Sequence, residues 1–324
     1  MKAAVHTRYG PPEVVRIAEV PTPLAGPGEV LVRVRATTVN RTDCGFRAAE
    51  PWIVRFFSGI TKPKATILGC EFAGEITEVG EGVSSFAVGD RVFGFSEDRF
   101  GAHAEFLSFP ADGPIATVPA DLPFDQVAPS TEGSHYALSA ITKVGIGSGQ
   151  DVIVNGGTGA IGSAAIQLLK DLGANITAVA DTDHVELVRG LGAGRVIDRN
   201  VEDFTEDDRT YDVVFDAVGK SSFGRCKRLL KPNGLFLSSD LGPLSMNPVL
   251  ALTTPLVGGR RVRFPIPPKH TKQEVERIRS MIEVGSFRPV VDRRYPLEEI
   301  VEAYRYVETG QKIGNVVISI DNGG

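Results

Sequence analysis

The hydrophobic pattern changes character twice along the chain. In 29–36, apolar Val30, Val32, Val34 and Ala36 alternate with Arg33 and Arg35, the period of a strand with one face buried in an antiparallel sheet. The stretch 69–95 continues in short Ile, Val and Phe runs broken by Gly80, Gly82, Gly89 and Gly94, with no helical period sustained over ten residues. Strands of this length between glycine turns predict a small β-rich domain. Beyond the proline-containing stretch 119–129 the chain alternates strand and helix. Strands are expected at 152–154, 176–180, 196–198, 213–217 and 235–238, with helices after the first strand, near 185–191 and running through Leu230. Such repetition predicts a parallel, doubly wound sheet with right-handed crossovers. After 265–268 the pattern shifts again. Thr271 and Glu274 form a capping box before the stripe Val275, Ile278 and Ile282, which Gly285 can end. A helix at 296–308 then leads to a closing strand at 315–320.

The expected class is therefore α/β, with a β-rich domain at 1–124 completed by 268–324 and a doubly wound parallel-sheet domain at 125–267. The tail is assigned to the first domain because no third core is large enough to stand alone.

The stretch 151–181 organises this reading. Val152, Ile153 and Val154 form a continuous apolar strand, followed by Gly157, Thr158, Gly159, Ala160, Ile161 and Gly162 in Gly-x-Gly-x-x-Gly spacing. In that motif the first glycine makes the turn, the second admits a pyrophosphate to the backbone, and the third lets the helix pack against its strand. The helix presents Ile161, Ala165, Leu168 and Leu172 on one face and stops at Gly173. Its free N–H groups and dipole would face the phosphates. Asp181 ends the next strand at the distance expected of a ribose-binding acid. A turn without a ligand would leave three closely spaced glycines unexplained.

Composition narrows the function classes. The chain has 324 residues, 42% hydrophobic and 23% charged, as in a soluble globular protein of two domains. A net charge of -5 offers no basic patch to a nucleic acid. Cys44, Cys70 and Cys226 are too few and scattered for a disulfide framework or a structural zinc cluster. MKAAVHTRYG lacks the apolar core of a secretion signal, and no run approaches the roughly 20 apolar residues of a membrane span. A cytoplasmic protein without membrane partners is expected.

Many separate segments resemble one family: MKAAVHTRYGPPEVV, VNRTDCGFR, ILGCEFAGEITEVGEGVSSFAVGDRVFGF, FGAHAEF, the glycine turn, VELVRGLGAGRVID, YDVVFDAVG and YPLEEIVEAYRYVETGQKIGNVVI. Together they are similar to the medium-chain dehydrogenase/reductase superfamily, and within it to the zinc-independent quinone oxidoreductase branch. The resemblance implies a GroES-like catalytic domain, a Rossmann domain and an active site in the cleft between them. It also implies hydride transfer from a nicotinamide to a quinone or an α,β-unsaturated carbonyl. No metal is expected. Where zinc relatives carry cysteine, then histidine and glutamate, then a third ligand, this chain has Asn40, then Cys70 and Glu71, then Ala128. The lobe of four cysteines that would hold a structural zinc is absent between Asp90 and Gly101.

By the same resemblance, Asn40 donates to the substrate oxygen, Thr42 occupies the proton-relay position, and Asp43 lies beside it; a polar turn after a strand uses the same residue types. Glu71 is a candidate for orienting the cofactor end, and Thr131, His135 and Tyr136 fall where the domains join. Ala217, Val218 and Gly219 would line the nicotinamide ribose, with Ser239 at the next strand end. NAD(H) or NADP(H) is the expected cofactor. Asp181 favours NADH, because a carboxylate accepts from ribose hydroxyls and repels a 2′-phosphate, whereas Arg199 could attract that phosphate. A homodimer is expected by analogy, with the alternating 260–264 stretch as an edge strand. The alternatives are a zinc-type alcohol dehydrogenase and a dinucleotide-binding protein without turnover.

Overall fold

The computed structural model describes residues 1–119, 122–238, 240–265 and 270–320. The chain divides into two compact units, one formed by Met1–Glu132 with His270–Gly324 and the other by Gly133–Lys269.

The first unit is built on a seven-stranded sheet. Its main path runs Val291–Pro296, Asn315–Ser319, Glu29–Val39, Glu71–Val79, Arg91–Phe95 and Ile115–Thr117, and Phe106–Pro110 also pairs with Glu29–Val39. The alternation read at 29–36 holds for Val32, Val34 and Ala36, but Ala36 to Val39 are all buried. The strand is covered on both faces at that end, where the late strand Asn315–Ser319 pairs antiparallel with it, Val316 opposite Val39 and Ser319 opposite Ala36. Val30, Val32, Val34, Phe72, Ile76, Val92, Tyr304 and Val316 belong to one buried core of this unit. Sequence pattern missed the helix Arg41–Ala48, whose eight residues include Gly45 and carry no sustained apolar stripe. The capping box on Lys272–Glu283 is formed as expected, Thr271 accepting from the Glu274 N–H.

The second unit is a six-stranded parallel sheet in the order Arg195–Asp198, Asn175–Ala180, Asp151–Asn155, Tyr211–Asp216, Leu230–Ser238, Arg261–Arg263. In chain order this is 3-2-1-4-5-6, the doubly wound dinucleotide arrangement, whose direction of winding reverses between the first and fourth strands. Two local expectations differ. The helix Ala160–Asp171 is buried from Gly162 to Leu169 rather than along one stripe. The segment before Leu230 is a short helix, Phe223–Cys226, and a single 3-10 turn; Leu230 itself opens a strand.

Candidate active site

In the second unit, the residues expected to hold a dinucleotide lie at the carboxyl ends of the central parallel strands. The strand Asp151–Asn155 turns at Gly156, whose φ of +81° is open to glycine, so the tight turn falls one residue before the expected Gly157. Gly157 donates its N–H to the Val179 carbonyl, tying the turn to the neighbouring strand. Gly162 cannot be replaced without movement: a Cβ there would stand 2.1 Å from the Gly156 carbonyl oxygen. Gly159 is different. Its φ is -71°, and a Cβ would meet nothing closer than 3.6 Å. Neither backbone conformation nor packing demands glycine at 159, so its bareness is explained by something that approaches from outside. It is also the N-cap of the helix, with no side chain capping it, so the first N–H groups lack a side-chain acceptor. A bare cradle at an uncapped helix start fits a pyrophosphate.

Asp181 follows the strand Asn175–Ala180, and its carboxylate is paired with the Arg199 guanidinium. At the winding switch, Asn155 Nδ2 donates to Asp216 Oδ1 at 2.9 Å, and the Ser221 N–H donates to Asp216 Oδ2 at 2.9 Å. Asp216 thereby folds the Ala217, Val218 and Gly219 loop, and Gly219 takes a φ of +66°. Pattern reading did not single out Asn155 or Asp216; their position at adjacent strand ends was the available signal. Ser239 lies outside the described residues.

The other cluster is in the first unit. Asn40 is the N-cap of the Arg41–Ala48 helix: its Oδ1 accepts from the Asp43 N–H at 2.9 Å, and Asp43 Oδ2 accepts from the Asn40 N–H at 3.1 Å. Catalytic roles are expected of both residues from the sequence; here their side chains form a reciprocal cap that satisfies two otherwise orphaned backbone donors. Asn40 Nδ2 donates to Cys70 Sγ at 2.9 Å, and Asp43 Oδ1 accepts from the Gly69 N–H at 2.9 Å. Asp43 is fully buried, and burial pushes its carboxyl up to about 7. Both its oxygens thus hold backbone in place. Thr42 is only half-buried, and its hydroxyl donates to Glu132 Oε1 at 2.9 Å.

Glu71 is fully buried and accepts from four donors. Oε1 takes the Thr131 N–H at 2.9 Å, the Thr131 hydroxyl at 2.9 Å and the Glu132 N–H at 2.7 Å; Oε2 takes the Thr38 hydroxyl at 2.7 Å. It closes the start of the Glu132–Val144 helix, where a negative charge suits the dipole. Burial pushes its carboxyl up while those donors pull it back. Glu132, 5% exposed, is pushed up to about 8 by burial and then by Glu71, with the nearby Lys312 ammonium and the Thr42 hydroxyl opposing. Lys312 is itself held below its usual range by burial, and donates to the Gly314 carbonyl. Behind this group, burial lowers His103 to about 4; its neutral ring donates from Nε2 to the Thr38 carbonyl at 2.7 Å. Glu132, Lys312 and His103 were missed because single-residue spacing does not carry them. His135 and Tyr136 stand on the Glu132–Val144 helix with their rings edge to face at 5.6 Å.

The donor set does not fit a catalytic zinc. Asn40 and Ala128 offer no anionic or imidazole ligand, the Cys70 thiol is pushed well above its ordinary range by burial, and both Glu71 oxygens are engaged.

The alcohol dehydrogenase GroES-like domain family matches residues 26–120, and the family described as zinc-binding dehydrogenase matches 191–318. A 2-methylene-furan-3-one reductase of Solanum lycopersicum is 28% identical over 98% of this chain and 79% of its own length. A trans-enoyl reductase of Aspergillus terreus is 29% identical over 91% of this chain and 87% of its own. The quinone oxidoreductase of Coxiella burnetii superposes with a TM-score of 0.86 at 25% identity, covering 99% of each chain. With a doubly wound dinucleotide unit, a GroES-like unit and ligand positions unsuited to zinc, the chain belongs to the medium-chain dehydrogenase/reductase superfamily, in its zinc-independent, quinone oxidoreductase-like branch.

Proposed function

We propose that the protein is an NAD(P)H-dependent oxidoreductase that reduces a quinone or the carbon–carbon double bond of an α,β-unsaturated carbonyl. The observation that carries the reading is the bare Gly159 cradle on the uncapped Ala160–Asp171 helix. Reductases of unsaturated carbonyls and a quinone oxidoreductase among its relatives support the acceptor class. Gly157, Thr158, Gly159, Ala160, Ile161 and Gly162 would hold the pyrophosphate, and Ala217, Val218 and Gly219 the nicotinamide ribose. The bound nicotinamide supplies the hydride. The chain's own task is to orient the acceptor and to meet the charge that develops on its oxygen.

Thr42 is the hydroxyl we assign to the acceptor, because it is half-buried and already hydrogen-bonded to an acid. Asn40 keeps one amide hydrogen on Cys70 and has its second for an oxygen. Asp43 acts by holding both in place. Trp52, Ile53, Phe56, Phe57 and Ile60 are exposed on a short segment of the first unit, which suits an apolar acceptor. NADH is our preferred cofactor: Asp181 is the acid we assign to the ribose hydroxyls, and its pairing with Arg199 supports keeping that arginine from a 2′-phosphate. The relatives include an NADPH-dependent alkenal/one oxidoreductase, so the preference is open to direct measurement. A homodimer through the edge strand Arg261–Arg263 and the adjacent exposed Leu252, Leu256 and Val257 completes the reading. Among the described residues no helix is long and apolar enough to cross a membrane. The free, buried Cys44, Cys70 and Cys226 suit the reducing cytoplasm.

Oxidation of NADH and NADPH against a panel of enones and quinones, with light scattering for the dimer, tests this. Tight cofactor binding with no turnover on any acceptor would move the assignment to a non-catalytic binding protein.

A further inference from the structure

One hydroxyl and two acids of the first unit form one connected system: the half-buried Thr42 hydroxyl reaches Glu132, and the Glu132 N–H reaches Glu71. The two acids in it are not equivalent. Glu71 accepts from two backbone N–H groups and two hydroxyls, the environment of a carboxylate that keeps its charge. The Glu132 side chain has Thr42 as its donor among the described residues. Two buried acids this closely joined do not both ionise readily, and the better solvated one takes the charge.

We infer that Glu132 stores the proton consumed in the reduction and delivers it through the Thr42 hydroxyl to the acceptor. This rests on the reductase reading above. The reduced nicotinamide contributes a hydride, two electrons and one proton, to the β-carbon of an enone or to a quinone. With acceptor bound, the Thr42 hydroxyl turns its proton from Glu132 to the acceptor and accepts from the Glu132 O–H instead; the second proton then leaves Thr42 Oγ1 for the α-carbon or oxygen of the acceptor as the Glu132 O–H bond breaks and its proton passes to Oγ1. Glu132 is left as a carboxylate and regains a proton from solvent, so one solvent proton is consumed per turnover. The groups facing Glu132 suit both states. Burial, Glu71 and Asp43 favour the acid before transfer, and the Lys312 ammonium and Thr42 hydroxyl favour the carboxylate after it. With its carboxyl near 8, Glu132 is loaded at neutral pH and empties as the medium becomes alkaline. Among the described residues, Glu132 is the acid joined to Thr42, at 2.9 Å.

Glu132→Gln keeps a hydrogen-bond partner for Thr42 but has no proton to give; Thr42→Val breaks the relay and Thr42→Ser preserves it. The full-length protein is assayed with NADH and NADPH against 2-cyclohexenone and 1,4-naphthoquinone. Glu132→Gln and Thr42→Val are expected to lower kcat by about a hundredfold, with cofactor affinity unchanged in both, KM for the acceptor unchanged in Glu132→Gln and raised in Thr42→Val, and most of the activity retained in Thr42→Ser. The wild-type kcat should fall through the alkaline range and show a solvent isotope effect, and both features should vanish in Glu132→Gln. Independently of turnover, infrared titration of the cofactor-free protein should show a carboxylic-acid carbonyl band that persists above neutral pH and is missing from Glu132→Gln. If the wild type turns over neither acceptor, the reductase reading fails and takes this inference with it. If the wild type is active and Glu132→Gln matches it within twofold with an unchanged pH profile, this inference alone is overturned; absence of the infrared band also overturns it.

Discussion

Replacing Glu71 separates two explanations of why an acid is kept at the centre of the first unit. Its carboxylate receives the Thr131 and Glu132 N–H groups at 2.9 and 2.7 Å and the hydroxyls of Thr131 and Thr38. In Glu71→Leu the hydroxyls can rotate; Thr131 already has the Gly94 carbonyl oxygen at 3.5 Å. The two backbone donors cannot rotate, and each buried N–H left unmet costs about 1–3 kcal/mol. The expected loss is therefore roughly 2–6 kcal/mol, reduced by removing a buried charge that needed those donors. Glu71→Gln keeps the Oε1 acceptor for three donors and turns its amide toward the Thr38 hydroxyl, which can reorient to accept. Its loss should be only about 1 kcal/mol. Urea unfolding followed by a probe in the first unit measures the loss, and hydrogen exchange at the Thr131 and Glu132 amides locates it. Both amides should exchange much faster in Glu71→Leu and remain protected in Glu71→Gln. If the two variants are equally destabilised, charge rather than donor satisfaction is what the site requires. If Glu71→Leu lies within about 0.5 kcal/mol of wild type with both amides protected, the capping argument is wrong.

Further outcomes follow from other parts of the structure. Gly162→Ala drives a Cβ to 2.1 Å from the Gly156 oxygen and should cost stability by about 2 kcal/mol or more, whereas Gly159→Ala should fold normally and weaken dinucleotide binding about tenfold. Thermal melts and fluorescence titration check the pair, and equal behaviour of the two refutes the distinction between a packing glycine and a ligand glycine. Asp43 and Glu132 are raised from 3.8 to about 7 and from 4.5 to about 8. The folded state therefore binds more protons than the unfolded state between those limits, and their contribution to stability is full below the lower values and declines as pH rises to about 8. Unfolding free energy should fall from about pH 5 to about pH 8, less steeply in Glu132→Gln; a rise across that window contradicts the assignment. Asp181→Ser should shift the ratio of NADPH to NADH affinity about tenfold toward NADPH, since it removes a charge and releases Arg199. An unchanged ratio would place the 2′-position elsewhere.

The doubly wound unit was legible because its signals are local: a buried apolar run, a glycine spacing, an acid at the next strand end. Even there, motif spacing selected Gly157 for the tight turn, while the backbone places the positive φ at Gly156. Two adjacent glycines cannot be told apart by spacing alone. The first unit was harder to read. Asn40 and Asp43 were singled out as chemistry, and their hydrogen bonds show a helix cap braced on Gly69 and Cys70, 26 and 30 residues away in sequence. Glu132 was invisible for the same reason. Its meaning depends on Thr42, 90 residues earlier, and on Glu71, 61 residues earlier, which only the folded sheet brings to it. Its own surroundings in sequence, an acid in the first turn of a helix, read as ordinary helix initiation.

The antiparallel pairing of Asn315–Ser319 with Glu29–Val39 has a bearing on synthesis. Residues Met1–Glu132 emerge from the ribosome before the strand that covers their sheet edge, and Gly133–Lys269 emerge in between. The parallel sheet can consequently complete itself on the nascent chain while the earlier β-rich half waits with an unpaired edge. A truncation before residue 315 should leave that half prone to self-association, while the dinucleotide unit remains folded.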